Sequence, residues 1–365
     1  MKEGWTYKRF DEIMTPAKVE RCGNREDLPI LSITMHGGIV EQNDRFKKTI
    51  ASVDKTNYKV VKDGQLVIAF PIDEGLLYTQ DVANEGIMSP AYNIWDVDYS
   101  LIDRRFLVTY FHSAFAFAYY RAKLRGSTQR RRSMDKDDLL SMPIPVPSLI
   151  VQKGIVEELD LLKDVIIKQK AQIEELDKLA MSTFYDMFGD PNMNTRHFEL
   201  KTLNKVCLLK AGKAIKAEEL SESSEGLYPC FGGNGVRGYI NRYSYEGTYP
   251  IIGRQGALCG NVNLASGRFY ATEHAVVVSP LIDMNPLWLY YVLLCMRLGQ
   301  YAHGVAQPGL SVKDLNPLSL MLPPLDLQQE FASKIEAIEQ MKAKVRQSLK
   351  ESEELFNSRM DYYFN

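Results

Sequence analysis

A chain of 365 residues with 45% apolar content is long enough for two or three globular domains, and its net charge of −2 does not by itself mark a polyanion binder. No apolar run approaches the ~20 residues that cross a bilayer, and the start MKEGWTYKRF is not a signal peptide, so no membrane partner is expected. Cys22, Cys207, Cys230, Cys259 and Cys295 lie far apart, with no CxxC and no Cys/His cluster; this argues against zinc and a disulfide scaffold and for a reducing, cytoplasmic setting.

Residues 1–148 read as a first lobe. Short β-like runs (LPILSIT, QLVIAF, YNIWDVD) alternate with turn signals such as His36-Gly37-Gly38 and Asp63-Gly64. The run from Arg104 to Arg125 reads as one helix whose aromatics fill a core. Arg121, Lys123, Arg125, Arg130, Arg131 and Arg132 then follow without an acid among them, a cluster suited to phosphate contact. The bland alternative is a solvated charged loop. Pro143, Pro145 and Pro147 bar a helix before residue 148.

Residues 149–190 are a spacer. Within 149–188 the apolar positions Ile155, Leu159, Leu162, Ile166, Ile173, Leu176 and Ala180, with Gln169 filling the gap, step by four and three. That spacing predicts one long helix, about 60 Å, with a narrow coiled-coil seam. The helical segments lean acidic (8 acids against 5 bases over 149–188) while the lobes lean basic.

Residues 191–324 repeat the lobe plan. Phe198, Leu203 and Val206 echo the spacing of Trp5, Phe10 and Ile13. Five lysines (Lys201, Lys205, Lys210, Lys213, Lys216) come without an intervening acid. A Gly- and Tyr-rich β/turn region follows, YPCFGGNGVRGYINRYSYEG and YPIIGRQGALCGNV. Glycine there lets backbone approach a ligand, while Asn234, Arg237, Arg242, Arg254 and Gln255 offer base-edge and phosphate contacts. Turn construction alone would also demand most of these glycines. A helix is expected over 286–302, and Gly304 to Gln307 matches the spacing of Gly126 to Gln129.

Residues 325–365 are a second spacer. A shift of 176 residues lays 325–364 on 149–188 without a gap: Pro147, Leu149, Gln152, Leu179 and Phe188 meet Pro323, Leu325, Gln328, Leu355 and Phe364. The seam recurs at Phe331, Ile335, Ile338, Lys342, Val345, Leu349, Ser352 and Phe356. Antiparallel pairing in the register of the repeat sets Ile155 against Phe356, Ile173 against Ile338, and the Gln169 amide against the Lys342 ammonium. A parallel pair would bury Lys342 against Ile166, so the antiparallel arrangement is predicted. The fold class is therefore α+β: two mixed lobes separated by two long helices in an antiparallel coiled coil, with pseudo-twofold repetition. Two amphipathic helices packed on separate lobes are the bland alternative.

Catalytic signatures are missing from the sequence. Phe231-Gly232-Gly233-Asn234-Gly235 fits FxGxG but lacks the following helix, and there is no Asn-Pro-Pro-Tyr or Asp-Pro-Pro-Tyr. Ala211-Gly212-Lys213 is not a P-loop. His36, His112, His197, His274 and His303 make no metal pair, and no GxSxG occurs. The sequence shows two recognition lobes and no engine.

This layout, with its PIPVPSLIVQ and LPPLDLQQEF junctions, the SPAY run (Ser89 to Tyr92), GGNGVRGYI, IIGRQG and GVAQPGLS, resembles the specificity subunits of type I restriction–modification enzymes over essentially the whole chain. The resemblance implies a non-catalytic subunit that binds double-stranded DNA, each lobe reading half of a bipartite, asymmetric site and the helices measuring the gap. It implies two methyltransferase subunits that use S-adenosylmethionine to methylate adenine, and an ATP-dependent restriction subunit; no cofactor is expected in this chain itself, the S-adenosylmethionine, ATP and Mg belonging to those partners. Candidate DNA-contacting residues are Lys213, Asn234, Arg237, Arg254, Gln255 and Gln307 in the second lobe, and Arg125, Gln129, Arg130, Arg131 and Tyr92 in the first. The alternative function is a protein-interaction adaptor with a coiled-coil spacer; a self-contained methyltransferase lacks its motifs.

Overall fold

The computed structural model describes residues 5–25, 27–35, 37–42, 54–125, 133–304 and 308–365. The chain divides into two compact units, Met1–Gln169 with Ser348–Asn365, and Lys170–Gln347. Each unit joins one lobe to half of each long helix. These helices run Leu149–Phe188 and Leu325–Phe364, 40 residues apiece. The fold is mixed α and β, as the sequence led us to expect.

In the first unit an antiparallel four-stranded sheet has the order Met14–Pro16, Asn93–Val97, Leu66–Ile68, Leu77–Thr79. Thr6–Arg9 pairs with Pro143–Val146 and closes the lobe where its chain enters and leaves. The run expected as one helix from Arg104 is two, Arg104–Phe111 and Ala114–Lys123. The reason is local: Asp103 caps the first, and the Ser113 hydroxyl accepts from the Ala116 N–H and starts the second. Arg125 falls beyond it in a two-residue strand.

The second unit follows the same plan. Its four-stranded antiparallel sheet has the order Cys207–Ala211, Ala275–Pro280, Tyr249–Gly253, Val262–Ala265, and Glu199–Thr202 pairs with Ser319–Leu322. A second four-stranded sheet contains Gly235–Ile240, Tyr228–Gly232, Arg268–Ala271 and Tyr245–Glu246. The helix expected over 286–302 ends at Cys295, because Arg297 turns left-handed (φ 50°) and a short 3-10 turn follows. Phe10, Ile13, Leu203 and Val206, matched in spacing in the sequence, are all buried.

The glutamines of the repeated junctions have the same task in each unit. Gln152 is fully buried; its carbonyl accepts from the Asp103 N–H at 2.6 Å and its amide donates to Leu101 and Pro147 carbonyls at 3.0 and 2.7 Å. Gln328 accepts from the Asn285 N–H and donates to the Pro323 carbonyl, both at 2.9 Å. Asp103 and Asn285 are the N-caps of the lobe helices. Each glutamine therefore ties the start of a long helix to the start of a lobe helix, satisfying groups that burial would otherwise orphan.

Within each unit the helix halves run antiparallel. In the first, Glu158 takes an ion pair from Arg359 and a hydrogen bond from the Tyr363 hydroxyl, and Gln169 donates to the Ser348 hydroxyl at 2.9 Å. In the second, Phe184 and Phe188 meet Phe331 at ring-centroid distances of 5.7 and 5.3 Å, and Lys342 pairs with Asp177 at 2.6 Å. The predicted seam faces inward: Ile155, Leu159, Ala180, Phe331, Ile335 and Ile338 are buried, while Leu162, Ile166, Gln169, Ile173, Val345 and Leu349 are half-buried. Burial is complete where a lobe covers the seam, and two helices alone cannot close it in between.

The polar layer differs from expectation. Gln169 bonds to Ser348 and not to Lys342, and its Oε1 remains buried without a partner among the described residues. Lys342 is held by Asp177 and by Glu339 one turn before it, each at 2.6 Å. Burial works to lower the Lys342 pKa, but the two carboxylate hydrogen bonds outweigh it and hold the ammonium above its ordinary value. A carboxylate is the stronger partner for an ammonium than an amide, and Lys342 reaches one on each helix.

Candidate nucleic-acid interface

The second unit carries an open groove of about 620 Å³ lined by Gly233, Asn234, Arg237, Gln255, Gly256, Ala257, Leu258 and His274. Sheet register assembles it. The Arg254 N–H donates to the His274 carbonyl at 3.1 Å and the Leu310 N–H donates to the Arg254 carbonyl at 2.9 Å, which fixes the turn after strand Tyr249–Gly253. The hairpin joining Tyr228–Gly232 to Gly235–Ile240 brings Gly233 against Gly253. A Cβ at Gly253 would lie 2.0 Å from the Gly233 oxygen, so this crossing requires a glycine at 253.

A few polar atoms at or next in sequence to the groove are left unsatisfied. Arg254 Nε, His274 Nδ1 and Glu273 Oε2 are buried without hydrogen-bond partners among the described residues. His274 Nε2 lies 3.2 Å from Glu273 Oε1, and Asn234 Oδ1 accepts from the Asn261 amide at 2.8 Å, which leaves the Asn234 nitrogen to face outward as a donor. Buried polar atoms without partners are uncommon in folded proteins, and of these three residues His274 lines the groove. Arg237 lies against Gly232, where a Cβ would meet its Cδ at 2.4 Å. No group of three or more metal-ligating side chains occurs among the described residues. All five cysteines are buried and free, and burial pushes Cys207 and Cys295 up to about 12, leaving neutral thiols.

Residues 196–352 match the type I restriction modification DNA specificity domain. The specificity-subunit resemblance drawn from the duplicated layout is thus shown, and relatives agree with it. The chain is 38% identical over 214 residues to the type I restriction enzyme EcoprrI specificity subunit of Escherichia coli, covering 55% of this chain and 53% of that one. It is 27% identical over 143 residues to a putative type I restriction enzyme specificity subunit of Haemophilus influenzae, covering 38% and 37%. The chain thus spans about half the length of the curated relatives it matches, or less. In fold it resembles the S subunit of the M. genitalium type I restriction-modification system (TM-score 0.57, 16% identity, 98% of this chain and 95% of that one). It also resembles a chain from a structure describing complex assembly and conformational transition of the type I R-M system (TM-score 0.65, 16% identity, 100% and 98%).

Within this specificity domain, Asn234, Arg237 and Gln255 come together at the groove, whereas Arg254, half-buried and next in sequence to Gln255, is not among its lining residues. Lys213 is exposed on the segment where its N–H donates to the Ala271 carbonyl, close in sequence to the groove's His274 strand end. Gln307 lies outside the described residues, as do Gln129, Arg130 and Arg131 in the first lobe. Arg125 is exposed but ion-paired to Asp135 at 2.8 Å and near Asp138 at 3.6 Å, so an anion would have to compete with two carboxylates. Tyr92 is half-buried beside the cluster that holds Leu31, Val61 and Met88, and burial raises its hydroxyl pKa; packing accounts for it. His274, Glu273 and Leu258 escaped the sequence reading. Their signal was weak, because His274, with Glu273 beside it, comes to the groove only through the strand pairing.

No helix among the described residues is long and apolar enough to cross a membrane.

Proposed function

We propose that this chain is the non-catalytic DNA specificity subunit of a type I restriction–modification system, cytoplasmic and without a cofactor of its own. Each lobe reads one half of a bipartite, asymmetric duplex site, and the two 40-residue helices set the interval between the halves and dock two methyltransferase subunits. Those partners would supply S-adenosylmethionine chemistry on adenine, and an ATP- and Mg-dependent restriction subunit would complete the assembly. The observation that carries the reading is the specificity-domain match over 196–352 coinciding with an open groove lined by Asn234, Arg237, Gln255 and His274 in the same region. Guanidinium and amide side chains in a groove suit the base edges and backbone of a duplex.

The test is binding of the chain, with its co-expressed methyltransferase, to duplex DNA across a salt series. Counterion release makes the logarithm of affinity fall linearly with the logarithm of salt, with a slope near −0.9 per phosphate contact. Specific binding with such a slope is expected. Salt-independent binding, or none, would leave the protein-interaction adaptor as the better reading.

A further inference from the structure

In the first turn of each long helix a buried glutamine joins three pieces of backbone: the long helix, the end of the closing strand before it, and the start of a lobe helix. Gln152 accepts from the N–H of Asp103, the cap of the first lobe helix, and donates to the Pro147 and Leu101 carbonyls. Gln328 repeats this with Asn285, the cap of the second lobe helix, and with the Pro323 carbonyl. The arrangement recurs although the contacts beside it change. Arg105, two residues past the first cap, makes an ion pair to Asp160 of the long helix, whereas Leu287 holds that place after the second cap.

Packing joins the same elements with less direction. Phe106 and Leu107 share a buried cluster with Ile155 and Leu159 of the long helix, and Trp288 and Leu289 share one with Phe331 and Ile335. Apolar burial holds such surfaces together without prescribing an angle between them. A planar amide bonded through both its oxygen and its nitrogen admits one orientation, because hydrogen bonds weaken steeply when bent. Angle matters on a duplex. One base pair more between two half-sites moves the second by about 3.4 Å along the axis and turns it by about 35° around it. A lobe free to swing on its helix can follow that displacement, and a pinned lobe cannot. We propose that Gln152 and Gln328 are positioning residues for spacing. Each fixes the angle of a lobe on its own helix, so that one interval between half-sites is accepted and intervals a base pair longer or shorter are rejected. The assignment rests on the bipartite-site reading above and adds to it the residues that set the tolerance of the interval.

The experiment uses the full chain with its co-expressed methyltransferase and the two half-sites found by methylation mapping. A plasmid library separates those halves by every interval from a few base pairs shorter to a few longer than the native one. N6-methyladenine is scored at each interval for the parent chain, Gln328→Met and Gln152→Met, with folding followed by circular dichroism. Methionine keeps the length of the side chain and removes the amide's hydrogen bonds. The parent should prefer one interval over its neighbours by about 100-fold, the usual consequence of a small misplacement of a reacting group. In either variant that preference should fall to about tenfold, with both half-site sequences unchanged. A loss of methylation equal at all intervals would mean that the glutamines only satisfy buried backbone, and failure of both variants to fold would mean that they hold the fold itself. Either result overturns the positioning role and leaves the DNA reading standing. A parent chain that methylates every interval alike, or none, would overturn the bipartite reading as well.

Discussion

A methyl group added at Gly253 would lie 2.0 Å from the Gly233 carbonyl oxygen, and neither backbone can yield without breaking the strand pairing that forms the groove. At Gly256, two residues beyond the Arg254 turn, nothing lies within 4 Å of an added Cβ, and only the left-handed φ of 85° resists it. Gly253→Ala should therefore cost about 2–3 kcal/mol in urea unfolding, and Gly256→Ala about 1 kcal/mol. Equal effects would mean that the glycine crossing is not what holds the groove. Much of this site was legible in the sequence. Asn234, Arg237 and Gln255 drew notice because polar residues among glycines mark turns where backbone and side chains approach a ligand. His274 did not, because it reaches the groove through the pairing of Ala275–Pro280 with its neighbours, which no local pattern encodes. Tyr92 drew notice for its neighbours in sequence, and it packs half-buried against the cluster of Leu31, Val61 and Met88.

The long helices were the most legible elements, because a 3.5-residue period sustained over 40 positions is hard to produce by chance. Their antiparallel sense followed from the need to place one amide and one ammonium. The partners of those groups were misread. A lysine side chain reaches along its own helix as well as across, so Lys342 found Glu339 and Asp177, and Gln169 took Ser348 instead. Because burial of a charged network is often no more stabilising than an apolar layer, Lys342→Met should leave thermal stability unchanged or raise it by up to about 1–2 kcal/mol. Removing both acids, Asp177→Asn with Glu339→Gln, should lower it by leaving the ammonium uncompensated. At the other end, the hydrogen bond from Arg359, helped by Tyr363, holds the Glu158 carboxyl below its ordinary pKa. A depressed carboxyl stabilises the fold above its unfolded pKa of about 4.3, and that contribution disappears as pH falls through the lower folded value. Glu158→Gln should thus reduce stability at pH 7 and lose its difference from the parent chain at pH 2–3, as followed by helix unfolding in circular dichroism. A constant difference across that range would contradict the assignment.

Across the whole molecule, one plan occurs twice: a four-stranded antiparallel sheet of the same order, a closing two-stranded pair, capped lobe helices, and a glutamine tying a long helix to a lobe. The duplication was legible because the helical repeat and its proline–glutamine junctions survive a shift of 176 residues. The lobes' sheet order was not, since short strands joined by long loops leave pairing to tertiary contacts. What differs between the units is the residue set on equivalent strands: Val67–Ile94 corresponds to Ile251–Val277, so the first unit has Phe70 where the second has Arg254. Two similar frames carrying different residues would suit the asymmetric two-part target proposed above.

The central claim is that this chain directs a methyltransferase to such a target. The direct measurement is single-molecule methylation mapping of DNA from cells expressing the chain with its methyltransferase, and with the chain deleted. A bipartite, asymmetric N6-methyladenine motif that vanishes on deletion is expected. A motif that persists without the chain, or no motif at all, would contradict it.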